Sequence, residues 1–253
     1  MFVSRNKSPL LVVLALLFSL TAMALVSQEP ASNDDATALP QLVPQIQHAR
    51  TAEEILIKLQ RRHYEKRPFN DQLSSSLLDA YLENLDPNKS YFTAADIARF
   101  EQYRFILDDG IRRGNLQPSF SMFQRYREVA INYLDTLLAN LPETIAGLNF
   151  ERNEDIVIDA DTLDWPANAK ARDDRMRKSL INSVLSLRLS DKDDAAILET
   201  LQKRFKNQRN RLKQLNAEDV FQVYMNSLVS LYDPHSNYMS PRTSENFSIN
   251  MSL

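Results

Sequence analysis

Few residues in this chain are equipped for acid–base chemistry. Histidine occurs three times, at His48, His63 and His235. Only His235 sits in a constrained relation to a carboxylate, in Asp233-Pro234-His235. An aspartate and a histidine two residues apart can serve as acid and base. Here the intervening proline stiffens the link and no nucleophile accompanies the pair, so the stretch reads as a turn. His63-Tyr64 falls on a helix-like segment, as core or boundary. No HExxH pattern and no His/Asp/Glu cluster at metal-ligand spacing surrounds any of the three. A Ser-x-x-Lys spacing occurs once, at Ser4-Arg5-Asn6-Lys7, ahead of an amino-terminal apolar run where it carries no meaning. Gly-x-Ser-x-Gly and phosphate-loop patterns are missing. The carboxylate pairs Glu53-Glu54, Asp173-Asp174 and Asp193-Asp194 fall in helix first turns or on solvent faces, where helix dipole and solubility explain them. The sequence therefore assigns no catalytic, cofactor-binding or metal-ligating residue, and no cofactor is expected.

The composition narrows the classes further. Arg5 and Lys7 precede an apolar run from Leu10 to Leu20, and Ala22-x-Ala24 is a small-residue cleavage pattern. This reads as a secretory signal peptide, residues 1–24, cut after Ala24. The rival is an uncleaved anchor, for which the run is short. No cysteine comes after it, which excludes a lipid anchor on a cleaved cysteine. Cleavage of the first 24 of 253 residues leaves 229, and loss of Arg5 and Lys7 takes the formal net charge from −3 to −5. A mildly acidic exported chain is a poor nucleic-acid binder, and no nucleic-acid partner is expected. A signal with zero cysteines suits a bacterial periplasm and leaves no disulfide frame. Three glycines, Gly110, Gly114 and Gly147, are too few for most backbone-cradled sites.

The elements that would have to position any site are helices. Residues 25–48, with Pro30, Pro40 and Pro44, read as a mobile leader. Thr51-x-x-Glu54 predicts a capping box opening a helix that Pro68 ends. Asn70 opens a second, stopped at Pro87; Thr93-x-x-Asp96 caps a third running to Gly110 or Gly114. Pro118 suits the first turn of the most apolar helix, striped by Phe123, Tyr126, Ala130, Tyr133, Leu134, Leu137 and Leu141, with Pro142 closing it. Phe150 to Trp165 reads as non-helical, with Asp155–Asp159 as a short strand. Further helices run over about 169–189, from a Ser190-x-x-Asp193 cap to about Leu215, and from an Asn216-x-x-Asp219 cap to about Leu231. The expected fold class is all-α, an irregular bundle of about seven helices with one non-helical loop and a terminal extended segment at Ile249–Leu253.

Two features stay open at this level. Leu85-Asp-Pro-Asn-Lys-Ser-Tyr-Phe-Thr93 echoes Tyr232-Asp-Pro-His-Ser-Asn-Tyr-Met-Ser240. In each, proline stops a helix, polar residues turn the chain, tyrosine plugs the corner and Thr or Ser caps the next helix. The echo is either repeated helix-turn grammar or a duplication with a shared docking role. Lys203, Arg204, Lys206, Arg209, Arg211 and Lys213 form either a solvated face or a dock for an acidic partner.

Asp233-Pro-His-Ser-Asn-Tyr-Met-Ser-Pro-Arg242, Phe247 and Met251-Ser-Leu253 resemble the tail-specific (carboxy-terminal processing) serine proteases, peptidase family S41. His63-Tyr64, Tyr81-Leu-Glu-Asn-Leu-Asp86, Trp165-Pro166 and Glu218-Asp-Val-Phe221 fit that family's amino-terminal helical domain in the same order. The resemblance implies residues 49–245 as that domain and 246–253 as the start of a PDZ domain that is missing, followed in the family by a core with a serine/lysine dyad. No position here matches those catalytic motifs. It implies a periplasmic endopeptidase whose protein substrates, with apolar carboxy termini, are met through the missing domains. A helical-repeat lipoprotein adaptor is the other implied partner, and membrane contact is through the signal peptide alone, before cleavage. The alternative is a free-standing periplasmic helical binding module without proteolytic activity.

Overall fold

The structure, a computed structural model, describes residues 39–251. The expected signal peptide, the leader up to residue 38 and the last two residues lie outside the described residues. Among those described there are ten α-helices and no strand. They are α1 (Ile46–Arg62), α2 (Asp71–Leu85), α3 (Ala94–Phe100), α4 (Leu107–Arg112), α5 (Gln117–Ala139), α6 (Leu141–Ala146), α7 (Ala169–Arg188), α8 (Asp194–Gln214), α9 (Ala217–Ser230) and α10 (Pro241–Met251).

Helix starts obey local chemistry where a cap is present. The Asn70 side chain accepts from the Leu73 amide at 3.2 Å, and Asn168 and Asp193 do the same for α7 and α8. Thr93 with Asp96 and Asn216 with Asp219 form reciprocal capping boxes. Pro118 lies in the first turn of α5.

Four expectations are corrected. Helix α1 begins at Ile46 on a Gln45/His48 box, so Thr51 lies inside it and residues 46–48 are helix rather than leader. The expected third helix is broken. A 3-10 turn at Glu101–Tyr103 ends α3, and α4 restarts where the Leu107 amide donates to the Ser74 hydroxyl of α2 at 2.9 Å. Gly114, at φ +70°, then turns the chain where a Cβ would strike Ala49 of α1 at 2.9 Å. Asp155–Asp159 has no regular secondary structure and makes no strand. The segment near the end is the helix α10, not extended chain, and none of its side chains is buried. The split of the third helix, the short α6 and α10 account for ten helices against about seven.

The main core joins α1, α2, α5 and α9 through Leu56, Leu77, Leu78, Tyr81, Phe120, Phe221 and Tyr224, with Phe92 plugged in from the first corner. A second cluster, Leu137, Leu141, Leu180, Val184, Ile197 and Leu201, joins the end of α5 to α6, α7 and α8. Ala130, Ile131, Leu134 and Leu212 make a third, between α5 and α8. Helix α5, about 35 Å long at 1.5 Å per residue, therefore serves all three. Burying each leucine-sized chain contributes about 1.5–3 kcal/mol, which lets such a bundle stand without disulfides.

Candidate functional site

The two echoing corners share a plan and differ in depth. Asp86 is buried, and its carboxylate accepts from the amides of Ser90 (2.8 Å), Tyr91 (2.7 Å) and Phe92 (3.0 Å). Burial pushes its pKa up, and the three amides and Arg175 offset part of that rise. Lys89 takes a left-handed φ of +47° to complete the turn. At the second corner Asp233 accepts from the His235 amide (3.1 Å) and the Ser236 hydroxyl (3.1 Å). The amide and side-chain bonds from His235 and Ser236 hold its pKa below the usual carboxylate value. His235 Nδ1 lies 3.2 Å from Asp233, but its ring is 91% exposed. The Ser236 hydroxyl is bonded to Asp233 and not to the imidazole, so the group is a turn without an activated nucleophile.

The second corner is held by a ladder on α9. Glu218 Oε1 accepts from the Tyr238 hydroxyl (2.9 Å), Asn226 Oδ1 from the Tyr238 amide (2.7 Å), and Gln222 Oε1 from the Ser240 amide (3.2 Å) and the Thr243 hydroxyl (3.3 Å). Residues 218, 222 and 226 stand one turn apart on one face. Sequence reasoning misses them, although that i, i+4, i+8 run of polar residues is the signal that marks them. Glu218 Oε2 also meets His48 Nε2 at 3.1 Å. His48 Nδ1 accepts from the Gln45 amide, which leaves Nε2 as the protonated nitrogen facing Glu218. The buried ring of His48 stacks on Phe221 at 4.7 Å and on Phe120 at 5.9 Å. Burial lowers its pKa, against the opposing pull of Glu218. His48 thus ties the start of α1 to α9 and the second corner, and it is only 1% exposed. His63 lies just past α1, its ring edge-on to Tyr232 at 5.6 Å.

Behind the first corner is a cleft of about 330 Å³ bounded by Asp86, Tyr91, Tyr126, Tyr133, Ser179, Ser183, Phe205 and Gln208 among others. Burial pushes the phenols of Tyr91 and Tyr133 up to about 12, so both stay protonated at neutral pH. A second cleft, about 450 Å³, runs between the segment 155–158 and α7. The carboxylate pairs are held as helix-end or surface charges. Asp174 bonds Arg177 and Lys178, and Asp193 caps α8. On α8, Arg209 pairs with Asp135 at 3.1 Å and Lys213 with the same carboxylate at 3.5 Å, while Lys203, Arg204, Lys206 and Arg211 are exposed. Among the described residues no three His, Asp or Glu side chains converge as a metal site, and no helix is long and apolar enough to cross a membrane.

These groups fix chain segments against one another and do not converge on a reacting atom. The class they define is an all-α scaffold with two ordered corners, one after α2 and one after α9. A family profile for the tail specific protease N-terminal domain matches residues 55–242. A tail-specific protease from Haemophilus influenzae is 32% identical over 202 residues, which cover 78% of this chain and 28% of the relative. The chain belongs to the tail-specific protease family and carries its amino-terminal domain. It spans less than a third of that relative's length.

Proposed function

We propose that this chain is the polypeptide-engaging amino-terminal part of an exported, periplasmic tail-specific serine endopeptidase, with the catalytic serine and lysine supplied by sequence beyond it. Residues 1–24 are the signal peptide, 25–45 the leader segment, 46–245 the helical domain and 246–253 the run into a PDZ domain. In this role the bundle walls the space in which a protein substrate with an apolar carboxy terminus is held, and offers a face to a helical-repeat lipoprotein adaptor. The observation that carries the reading is the family match across residues 55–242, nearly the whole of the helical domain. The leader chemistry at Arg5, Lys7 and Ala22-x-Ala24 supports export.

A domain exchange tests it. The helical region of the Haemophilus influenzae protease is replaced by residues 39–251 of this chain, which keep α1 and α10 whole, and degradation of a protein ending in apolar residues is monitored. A chimaera that folds by circular dichroism and degrades the protein supports the reading. One that folds and still cleaves a short peptide, yet leaves the protein intact, overturns it.

A further inference from the structure

The segment 154–159, Glu-Asp-Ile-Val-Ile-Asp, combines three properties that rarely coincide by accident. First, it is fastened on both sides. Glu154 pairs with Arg177 of α7 at 2.7 Å, and on the far side Arg175 donates to the Asp164 carbonyl at 2.9 Å, Lys89 donates to the Leu163 carbonyl, and the Ala94 amide donates to the Pro166 carbonyl at 2.8 Å. Second, its middle is unpaired. The backbone amides and carbonyls of residues 155–158 have no hydrogen-bond partner among the described residues. Third, its apolar side chains face solvent: Ile156 is 37% exposed, Val157 53% and Ile158 85%. A held, β-branched run with free backbone groups and no neighbouring strand has the chemistry of a strand that lacks its partner.

We propose that residues 155–159 are a docking edge for one extended segment of a partner polypeptide, apolar in its middle and carrying Lys or Arg at each end. The backbone supplies the attraction through strand addition, and side chains choose the partner. Drawn out as a strand, Asp155 to Asp159 spans about 13 Å at 3.3 Å per residue. The cleft of about 450 Å³ between it and α7 gives room beside the free backbone. The charge of the edge selects the occupant. Both ends of the apolar triplet are aspartates, and Glu151, Glu154, Asp161 and Asp164 extend the acidic run, with Arg152 the one cation. Of the cations across the cleft, Lys178 is paired with Asp174, and Arg175 keeps its charge but is turned to the Lys89 and Asp164 carbonyls. A second copy of this chain fits poorly. Antiparallel pairing centred on Val157 sets Asp155 against Asp159 twice over, and like charges directly opposite oppose pairing. A basic-flanked partner turns both contacts into opposite-charge pairs.

The inference rests on the polypeptide-engaging reading above and is tested apart from proteolysis. The mature chain, residues 25–253, is titrated by nuclear magnetic resonance with a blocked peptide Lys-Ile-Val-Ile-Lys up to millimolar concentration. Expected are shifts confined to the amides of 154–159 and the α7 face, and at least tenfold weaker binding when alternate peptide amides are methylated. Val157→Pro abolishes binding while the helical circular dichroism is unchanged. The double change Asp155→Lys with Asp159→Lys transfers preference to a Glu-flanked peptide, Glu-Ile-Val-Ile-Glu, a gain that mere disruption would not give. No shift at 154–159, or a Val157→Pro chain that binds as before, overturns the proposal. So does self-association of the chain that Val157→Pro removes, because the occupant is then a second copy. If Val157→Pro leaves binding unchanged while the domain-exchange chimaera still degrades its protein, the edge falls and the broader reading stands.

Discussion

Asp86 and Asp233 occupy the same place in two similar nine-residue stretches, yet one change at each should have very different consequences. Asp86 satisfies three amides at a corner whose Phe92 lies in the main core. Asp86→Ala leaves those amides without their acceptor, at about 1–3 kcal/mol for each one kept from water. We expect a loss on the order of 3 kcal/mol by denaturant titration, whereas Asp233→Ala, at a solvent-facing turn, should scarcely move the midpoint. Equal losses would mean that the corners are equivalent in the fold, which their burial argues against. His48 makes a second prediction at this scale, through pH. Its folded pKa lies below the ordinary 6.5 because the ring is buried. The unfolded chain therefore takes up the proton first as pH falls. The stability tied to His48 is complete above about 6.5 and drains away below it, toward the lowered folded value. Thermal midpoints measured from about pH 7.5 to about pH 5 should fall for the natural chain and fall less steeply for His48→Gln. A steeper fall in the variant would reverse the sign of the argument.

Between elements, Arg127 is the main polar tie. It is wholly buried on α5 and donates to the carbonyls of Leu212 (2.9 Å), Lys213 (3.0 Å) and Pro40 (3.0 Å). It meets the carboxy-terminal end of α8, where the helix dipole favours a cation, and pins the arm ahead of α1 in the same grip. Arg127→Met keeps the bulk and strands three carbonyls. We expect a cost of about 2–4 kcal/mol and faster proteolysis at residues 39–44, with α2 unaffected; an arm that stays protected would show that Leu39 and Leu42 hold it without the guanidinium. Helix α10 carries the opposite expectation. It is 11 residues long with nothing buried, and helices that short are marginal in water without packing. Its amides should exchange with solvent within seconds while those of 123–138 resist, although Ser240 and Thr243 secure its first turn. A slowly exchanging α10 would reveal a packing surface. These elements also show what could be seen in the sequence. Caps at Asn70, Thr93 and Asn216, and the stripe on α5, were legible because side chain and backbone partner lie within four residues. The break before α4 was not, since the hydroxyl that restarts it comes from Ser74, 33 residues away. Neither was the burial of His48, which depends on rings at Phe120 and Phe221. Asp155–Asp159 had the composition of a strand, but a strand requires a neighbour, and composition cannot supply one.

Across the whole described region, buried apolar side chains are distributed unevenly. The main core draws on α1, α2, α5 and α9 and on large interlocked side chains, with Tyr81 edge-on to Tyr224 at 5.1 Å and Phe221 edge-on to Tyr238 at 5.3 Å. The second cluster rests on six buried aliphatic chains, and α7 commits only Met176, Leu180 and Val184 of its 20 residues to burial. Leu185 and Leu189 of the same stretch face solvent. Regions with few buried apolar contacts open at lower free energy than the core they adjoin. Helices α6, α7 and the first half of α8 should therefore open as one unit while α2 and α9 stay closed, with α5 as the shared wall. Leu77→Ala, in the main core, should cost about 3–4 kcal/mol and speed hydrogen exchange everywhere. Val184→Ala removes less and should speed exchange in α6–α8 alone. Leu134→Ala, in the cluster between α5 and α8, should loosen both, because it lies on the helix they share. Uniform acceleration by Val184→Ala would show a single cooperative bundle. The edge at 155–159 is fastened to α7 through Glu154 and Arg177, so in the two-tier case it moves with the less stable tier, and a strand bound there should slow exchange in α7 before it slows exchange in α2.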